Sequence, residues 1–157
     1  MLHIVLYQPE IPPNTGNIAR LCAATGTRLH LIEPLGFSLE DRYLKRAGLD
    51  YWPHVDLRVW PSLEAYLSGE GVGRRLVGTS ARHGDPVQRF AFTPIDSLLF
   101  GPESVGLPAE IRTVAGAYVR IPIKDCVRSL NLSTSVGIML YAALVSLGWI
   151  DALDTLR

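Results

Sequence analysis

Short aliphatic runs alternate with helix-forming stretches along the whole chain, and this order constrains the fold more than any other feature. Six such runs of four to six residues predict β-strands. Strands that alternate with helices favour an α/β fold, with a mostly parallel sheet and helices on both of its faces. The predicted strands cover residues 2–7, 28–32, 55–60, 76–79, 97–100 and 118–123, and the predicted helices cover residues 15–25, 39–47, 62–67, 108–115 and 133–147.

Length and composition predict one globular domain over residues 1–157. Hydrophobic residues make up 48% and charged residues 19% of the chain, which is not the composition of a disordered protein. Cys22 and Cys126 stand far apart in the sequence, so we expect free thiols in a reducing compartment. The longest apolar stretch, residues 136–147, is too short to span a membrane. We therefore expect a soluble, cytoplasmic protein.

Charge and histidine spacing limit the ligands of this chain. Fifteen basic and fifteen acidic side chains give no net charge, which weighs against a large nucleic-acid footprint but not against a local one. The four histidines have no metal-binding spacing, so no metal is expected, and His3 and His30 lie in predicted strands where a structural role is favoured. Two local basic patches are predicted, one from Arg42, Lys45 and Arg46 and one from Arg74, Arg75 and Arg82.

Ligands of parallel sheets bind beyond the carboxyl ends of the strands, so the loops after the strands are the candidate sites. In the first such loop Asn14 is a predicted helix N-cap, and Gly16 and Asn17 then fall in the first turn, where free amides favour an anion. Arg20 lies one turn later. A helix start followed by a solvated arginine explains the same residues, and spacing alone favours that simpler interpretation.

Two further loops carry polar groups in a constrained backbone. Residues 98–108 contain two glycines and two prolines around Glu103, for which a functional role and an exposed turn position are equally supported. In residues 119–136 a strand ends at Pro122, and Asn131 or Ser133 then caps the last helix. Helix capping alone is sufficient to explain the polar residues of this second loop.

Taken in order, three of these segments resemble the signature of the SPOUT superfamily of RNA methyltransferases. They are NTGNIAR at residues 14–20, FGPESVGLP at 100–108, and the segment 121–136 that opens with IPI and contains RSLNLS. The resemblance covers nearly the whole chain, and it is closest to the minimal branch that methylates the ribose of the tRNA wobble nucleotide. It implies a C-terminal deep trefoil knot, a homodimer with the active site near the interface, and S-adenosylmethionine as the cofactor, which leaves as S-adenosylhomocysteine.

The resemblance also implies roles for individual residues. Arg20 matches an arginine assigned to the 2′-hydroxyl, while Glu103 and Asn131 match polar residues around the reacting groups. Because an arginine side chain is effectively always protonated, we expect Arg20 to orient the hydroxyl rather than to act as a base. Arg128 is expected to contact RNA or to shape the site. The residues implied in cofactor binding are Gly78, Gly101, Ile121, Ser129 and Leu130.

The implied function is methylation of the ribose 2′-hydroxyl of the wobble nucleotide, cytidine or modified uridine, with the tRNA anticodon loop as partner. The alternatives are the same chemistry at another tRNA or rRNA site, or a non-catalytic RNA-binding α/β module. The intact Arg20, Glu103, Ser129 and Asn131 argue against the module.

Overall fold

A computed structural model describes residues 1–40 and 51–154. Most of the predicted helix at residues 39–47, including Arg42, Lys45 and Arg46, lies outside the described residues. Within them, no helix is both long enough and apolar enough to cross a membrane.

The strands form one seven-stranded sheet in the order β3-β2-β1-β6-β4-β7-β5, and every pairing is parallel. This confirms the predicted α/β class. The fifth strand has only two residues, one of them proline, which is too short for a hydrophobic pattern to predict it. The strands are β1 (His3–Tyr7), β2 (Arg28–Ile32), β3 (Leu57–Trp60), β4 (Arg75–Ser80), β5 (Asp85–Pro86), β6 (Asp96–Phe100) and β7 (Ala117–Arg120).

The helices cover both faces of the sheet because side chains alternate along each strand. In β1, Ile4 and Leu6 join one apolar cluster with helices α1 and α4, while Val5 joins a second cluster with α2 and α3. The helices described are α1 (Pro12–Thr25), α2 (Leu63–Ser68), α3 (Ala109–Arg112), α4 (Leu132–Ser146) and α5 (Ile150–Asp154).

The start of α1 corrects the prediction. The helix begins at Pro12 with Ile11 as its N-cap, so Asn14 lies inside the helix and does not cap it. Proline is tolerated in a first helical turn, where its missing N–H would have no intrahelical partner. Gly16 consequently lies beyond the first turn, and the predicted anion site at its amide is wrong. The predicted end of the helix at Gly26 is confirmed by its φ of +63°.

Three other elements are shorter than predicted. β3 begins at Leu57 because Trp52–His54 form a 3-10 turn. β7 ends at Arg120, before Pro122. α3 ends at Arg112, after which the Gly116 amide donates to the carbonyl of Leu76 and leads the chain into β7.

Candidate active site

A cavity of about 830 Å³ opens at the carboxyl ends of β4, β6 and β7. Its walls are the loops after these strands, together with the starts of α1 and α4. From β1 the chain runs to β2 and β3 on one side of the sheet, whereas β6 and β4 lie on the other side. Such a switch in strand order is where ligands of parallel sheets bind, and the cavity has the size of small-molecule sites.

The cavity is apolar on one wall and cationic at its rim. Among the lining residues, Glu103 is the only acidic one, whereas the rim carries three arginines, Arg82, Arg112 and Arg128. This composition suits a ligand with a flat apolar part inside the cavity and a polyanionic molecule that binds at the rim. The apolar wall is formed by Phe100, Ile121, Leu130, Leu132 and Met139.

Two glycines shape the cavity for different reasons. A Cβ on Gly101 would lie 2.3 Å from both the carbonyl carbon of Gly106 and the amide nitrogen of Leu107, so only glycine allows residues 101–106 to fold back tightly. A Cβ on Gly78 would lie 2.4 Å from Cε1 of Tyr118. Gly78 itself does not line the cavity; its missing side chain allows the Tyr118 ring to form part of the lining.

A chain of hydrogen bonds joins all three sequence segments at the cavity. The Glu103 carboxylate accepts from the backbone amides of Glu10 at 2.8 Å and Ile11 at 3.2 Å, and from Nδ2 of Asn14 at 3.2 Å. Oδ1 of Asn14 in turn accepts from Nδ2 of Asn131 at 2.9 Å. The anion at the start of α1 is therefore the protein's own Glu103. We call Glu10, Asn14, Glu103, Ser104 and Asn131 the three-loop network.

Asn131 also caps α4, as the sequence predicted. Its Oδ1 accepts from the backbone amide of Ser133 at 2.8 Å and from the Ser133 hydroxyl at 2.7 Å. One side chain therefore both starts the last helix and binds Asn14 of α1. Capping explains all of these bonds except the one to Asn14.

Two arginines tie the loop between β7 and α4 to its neighbours. Arg82 donates to the Asp125 carboxylate at 3.0 Å and to the carbonyl of Val127 at 3.1 Å. Arg128 donates to the carbonyl of Ser104 at 3.0 Å. This loop, residues 121–131, is thus bound to the loops that follow β4 and β6.

The predicted basic patch around β4 is divided by the structure. Arg75 pairs with the buried carboxylate of Asp96 at 2.7 Å, and Arg74 donates to the Ser97 hydroxyl at 2.9 Å. Both arginines serve the amino end of the sheet, away from the cavity. Only Arg82 of the three lies at the rim.

Most predicted site residues line the cavity, but Arg20 does not. Arg20 lies on the exposed side of α1, with its guanidinium carbon 5.8 Å from the centre of the Tyr51 ring. Glu10, Asn14 and Ser104 were not predicted as site residues. Their signal is long-range hydrogen bonding, which local spacing does not contain. The predicted residues that do line the cavity are Gly101, Glu103, Ile121, Ser129, Leu130 and Asn131.

A second polar cluster lies under α2, towards the amino ends of the strands. His3 Nδ1 is 3.0 Å from both the Tyr66 hydroxyl and Nε2 of His30. The Tyr66 hydroxyl is 2.7 Å from the Ser97 hydroxyl, which accepts from Arg74. We call His3, His30, Tyr66, Arg74 and Ser97 the histidine network.

The histidine network brings together three possible metal ligands that the spacing of the histidines did not reveal. Donor atoms of His3, His30 and Glu70 lie within 4.8 Å of one another. However, the Trp60 indole N–H donates to Nδ1 of His30 at 3.0 Å, so Nε2 of His30 carries its proton and donates to His3. Because Arg28 also binds the Glu70 carboxylate at 2.7 Å, the ligand atoms are engaged in hydrogen bonds.

The sequence pattern of the SpoU rRNA Methylase family matches residues 1–141. A tRNA (cytidine(34)-2′-O)-methyltransferase of Methylovorus glucosotrophus strain SIP3-4 is 53% identical in an alignment 148 residues long, which covers 91% of this chain and 94% of the relative. A solved structure from work on the 2-OH methylation of C/U34 on tRNA superposes with a TM-score of 0.88 at 52% identity, covering 94% of this chain and 97% of that one.

A more distant neighbour contains the cofactor. The SpoU methyltransferase AviRb of Streptomyces viridochromogenes, solved in complex with AdoMet, has a TM-score of 0.80 at 29% identity and covers 92% of this chain and 60% of that one. The chain described here belongs to the SpoU methylase family.

Proposed function

We propose that this protein transfers a methyl group from S-adenosylmethionine to the ribose 2′-hydroxyl of nucleotide 34, cytidine or modified uridine, in the anticodon loop of tRNA. The observation that carries the proposal is the convergence of the three sequence segments on one cavity through the bonds between Glu103, Asn14 and Asn131. The names and the high identity of the relatives support this particular nucleotide.

The cavity fits S-adenosylmethionine. It has the volume of a cofactor-sized ligand, an apolar wall for a flat purine, and a tight glycine turn that keeps side chains out of its floor. The residues that would hold the cofactor are Gly101, Ile121, Ser129 and Leu130, while Gly78 acts through the placement of Tyr118. When bound, S-adenosylmethionine supplies the methyl group as an activated sulfonium substituent.

Within this function Arg20 orients the acceptor hydroxyl and stabilises the negative charge that develops on its oxygen. Its guanidinium is a donor of hydrogen bonds and not a proton acceptor. Glu103 and Asn131 act as positioning groups, since the contacts of both side chains join the walls of the cavity. Proton removal then falls to solvent or to a phosphate oxygen of the RNA.

Because Arg20 does not line the cavity of its own chain, the proposal includes a homodimer in which Arg20 serves the partner's cavity. Helix α4 supports this arrangement. It is apolar nearly all round, yet Ile138, Tyr141 and Val145 remain 40%, 44% and 61% exposed along one stripe. An apolar helix stripe of this kind needs to be covered. α4 packs beside α1, the helix that carries Arg20.

The proposal also treats residues 1–157 as one methyltransferase domain with a C-terminal knot, working in the cytoplasm where tRNA is modified. Support for the knot comes from β7, which pairs between β4 and β5, and from residues 121–131, which form hydrogen bonds to the loops that follow β4 and β6. True knots are rare among protein folds. A knot at this position therefore requires these loops to be held in one particular arrangement.

The direct test is methyl transfer from labelled S-adenosylmethionine to bulk tRNA, followed by mapping of the modified nucleotide. We expect transfer to nucleotide 34 and none to RNA with a 2′-deoxyribose there. Methylation at a different tRNA or rRNA position would replace the proposed substrate. Cofactor binding without any transfer would favour a non-catalytic module.

The role of Arg20 has its own test. We expect Arg20→Ala and Arg20→Lys to lower turnover by at least about 100-fold, as for loss of a charge-stabilising donor. Arg89→Ala, which changes an exposed arginine away from the cavity, should retain activity. Near-full turnover of Arg20→Lys with unchanged tRNA affinity would exclude the orienting role.

Mixing two inactive variants tests the dimer. If Arg20 acts across the interface, Arg20→Ala and Asn131→Ala subunits complement each other in mixed dimers, with roughly one quarter of the wild-type sites active after random exchange. No recovery, in mixtures shown to exchange subunits, would place Arg20 and the cavity of one chain in the same site.

A further inference from the structure

Glu10 and Glu103 exchange hydrogen bonds between the loop after β1 and the loop after β6. The Glu103 carboxylate accepts from the backbone amides of Glu10 and Ile11. In return, the Glu10 carboxylate accepts from the backbone amide of Ser104 at 2.9 Å and from its hydroxyl at 2.7 Å. Each carboxylate therefore binds the main chain beside the other, and the two loops are held at both points.

This exchange places two negatively charged carboxylates next to each other. Among the described residues, no arginine, lysine or histidine forms an ion pair with either carboxylate. Their charge is stabilised by N–H and O–H donors and, for Glu103, by the start of the 14-residue helix α1. The oxygen atoms of both carboxylates therefore serve to hold the two loops together.

The loop that carries Glu10 is held firmly from its other side. Gln8 has a φ of +48°, unusual for a residue with a side chain, and its amide donates to the carbonyl of Ile32. A Cβ on Gly36 would lie 2.7 Å from Cα of Glu10, so the chain at Gly36 packs directly against it. Glu10 is therefore a fixed point from which Ser104 is held.

Ser104 passes this constraint on to the loop that would hold the cofactor. Its carbonyl accepts from Arg128 at 3.0 Å, and Arg128 immediately precedes Ser129. A second path runs from Glu103 through Asn14 to Asn131. The two paths hold both ends of residues 128–131 relative to residues 101–106.

We infer that Glu10 is a positioning residue of the methyl-transfer site, which acts through Ser104 and Arg128 on the loop that holds the cofactor. The inference rests on the proposed function for its kinetic readout. Loss of the Glu10 carboxylate releases Ser104 from one side and deprives Arg128 of a fixed acceptor. The cavity then keeps its lining residues but not their relative placement, to which group-transfer rates are sensitive.

The experiment measures cofactor binding by calorimetry and methyl transfer kinetics for Glu10→Ala, Glu10→Gln and Ser104→Ala. For Glu10→Ala we expect Kd for S-adenosylmethionine to rise by about tenfold and kcat to fall by about tenfold or more, with KM for tRNA nearly unchanged. Glu10→Gln retains one acceptor oxygen and should recover part of both losses. Glu110→Ala, an exposed glutamate on α3, is the matched control.

Coupling between the two partners separates positioning from a general loss of structure. Combining Glu10→Ala with Ser104→Ala should cost little more than Glu10→Ala alone, because Ser104→Ala removes only the hydroxyl bond, which Glu10→Ala removes together with the bond from the Ser104 amide. Additive losses, or wild-type Kd and kcat in Glu10→Ala, would overturn the inference. A wild-type protein that binds S-adenosylmethionine but methylates no RNA would instead defeat the proposed function, and the binding data would still test Glu10.

Discussion

The two ends of the sheet carry polar networks of opposite character. In the histidine network every side chain except Arg74 is buried, with His3 at 4% and His30 at 0% exposure, and the buried side chains bind one another. In the three-loop network only Asn14 is buried, at 6% exposure, and each of the two carboxylates binds main-chain amides of the other's loop. The first network lies between the sheet and α2, whereas the second joins loops about ninety residues apart in the chain.

This contrast distinguishes a structural cluster from a functional one. Buried polar groups that satisfy each other contribute to stability, and removing one leaves its partner unsatisfied. Polar groups that tie loops around an open cavity contribute to the placement of those loops. We therefore expect changes in the histidine network to alter unfolding and changes in the three-loop network to alter ligand binding.

We expect the largest change in the histidine network, where the free energy of unfolding should depend strongly on pH. Burial, with help from nearby arginines, lowers the pKa of His3 to about 3 and that of His30 to about 4. As pH falls below about 6.5, the unfolded chain binds protons that the folded chain does not. Stability is therefore complete above that pH and declines towards the folded-state pKa values, by several kcal/mol in total.

Urea unfolding at a series of pH values measures this decline. His3→Asn retains an acceptor for His30 but does not titrate, so it should flatten the curve. A midpoint that stays constant between about pH 7 and pH 5 would show that these histidines are not held neutral.

At the cavity, Gly101→Ala should change ligand binding more than it changes stability. The added Cβ meets backbone atoms at 2.3 Å, so residues 101–106 must shift. We expect Kd for S-adenosylmethionine to rise by about 10- to 100-fold, roughly 1.4 to 2.7 kcal/mol, with a smaller change in melting temperature. Gly116→Ala, whose nearest neighbouring atom would be 3.9 Å away, is the control. Unchanged cofactor affinity would remove this turn from the site.

Tyr66→Phe tests the histidine network directly. It deletes a buried hydroxyl that contacts both His3 and Ser97, and should lower the free energy of unfolding by about 1–3 kcal/mol. Methyl transfer at a temperature where the variant is folded should not change. Tyr118→Phe removes an exposed hydroxyl and should cost less stability. A catalytic defect in Tyr66→Phe would mean that the two networks are coupled.

The smallest effect is expected outside both networks, at Gly137 in α4. A Cβ there would meet only a methyl carbon of Leu21 at 3.9 Å. Gly137→Ala should raise the free energy of unfolding by about 0.5–1 kcal/mol through helix propensity alone. A loss of stability in chemical unfolding would indicate that α4 is packed more closely at this point than the single chain shows.

Local signals in the sequence were reliable where the partners are close in the chain. The alternation of strands and helices predicted the α/β class, Gly26 predicted the end of α1, and Asn131 was one of the two residues predicted to cap α4. Asn14 was wrongly predicted to cap α1, because a cap is predicted from neighbouring residues alone. Its partner in the structure is Glu103, which lies 89 residues away in the chain. α3 was predicted too long because its end depends on a bond from Gly116 to Leu76 in another strand.

The family, the order of the main elements and six of the residues that line the cavity could be inferred from the sequence alone, because motifs and hydrophobic periodicity are properties of short segments. Four features are visible only in the folded chain. They are the order of the strands, the contact between His3 and His30, the exchange of hydrogen bonds between Glu10 and Glu103, and the position of Arg20 outside the cavity of its own chain. These features depend on contacts between segments that are distant in the chain. Such contacts form only when the strands pair and the helices pack.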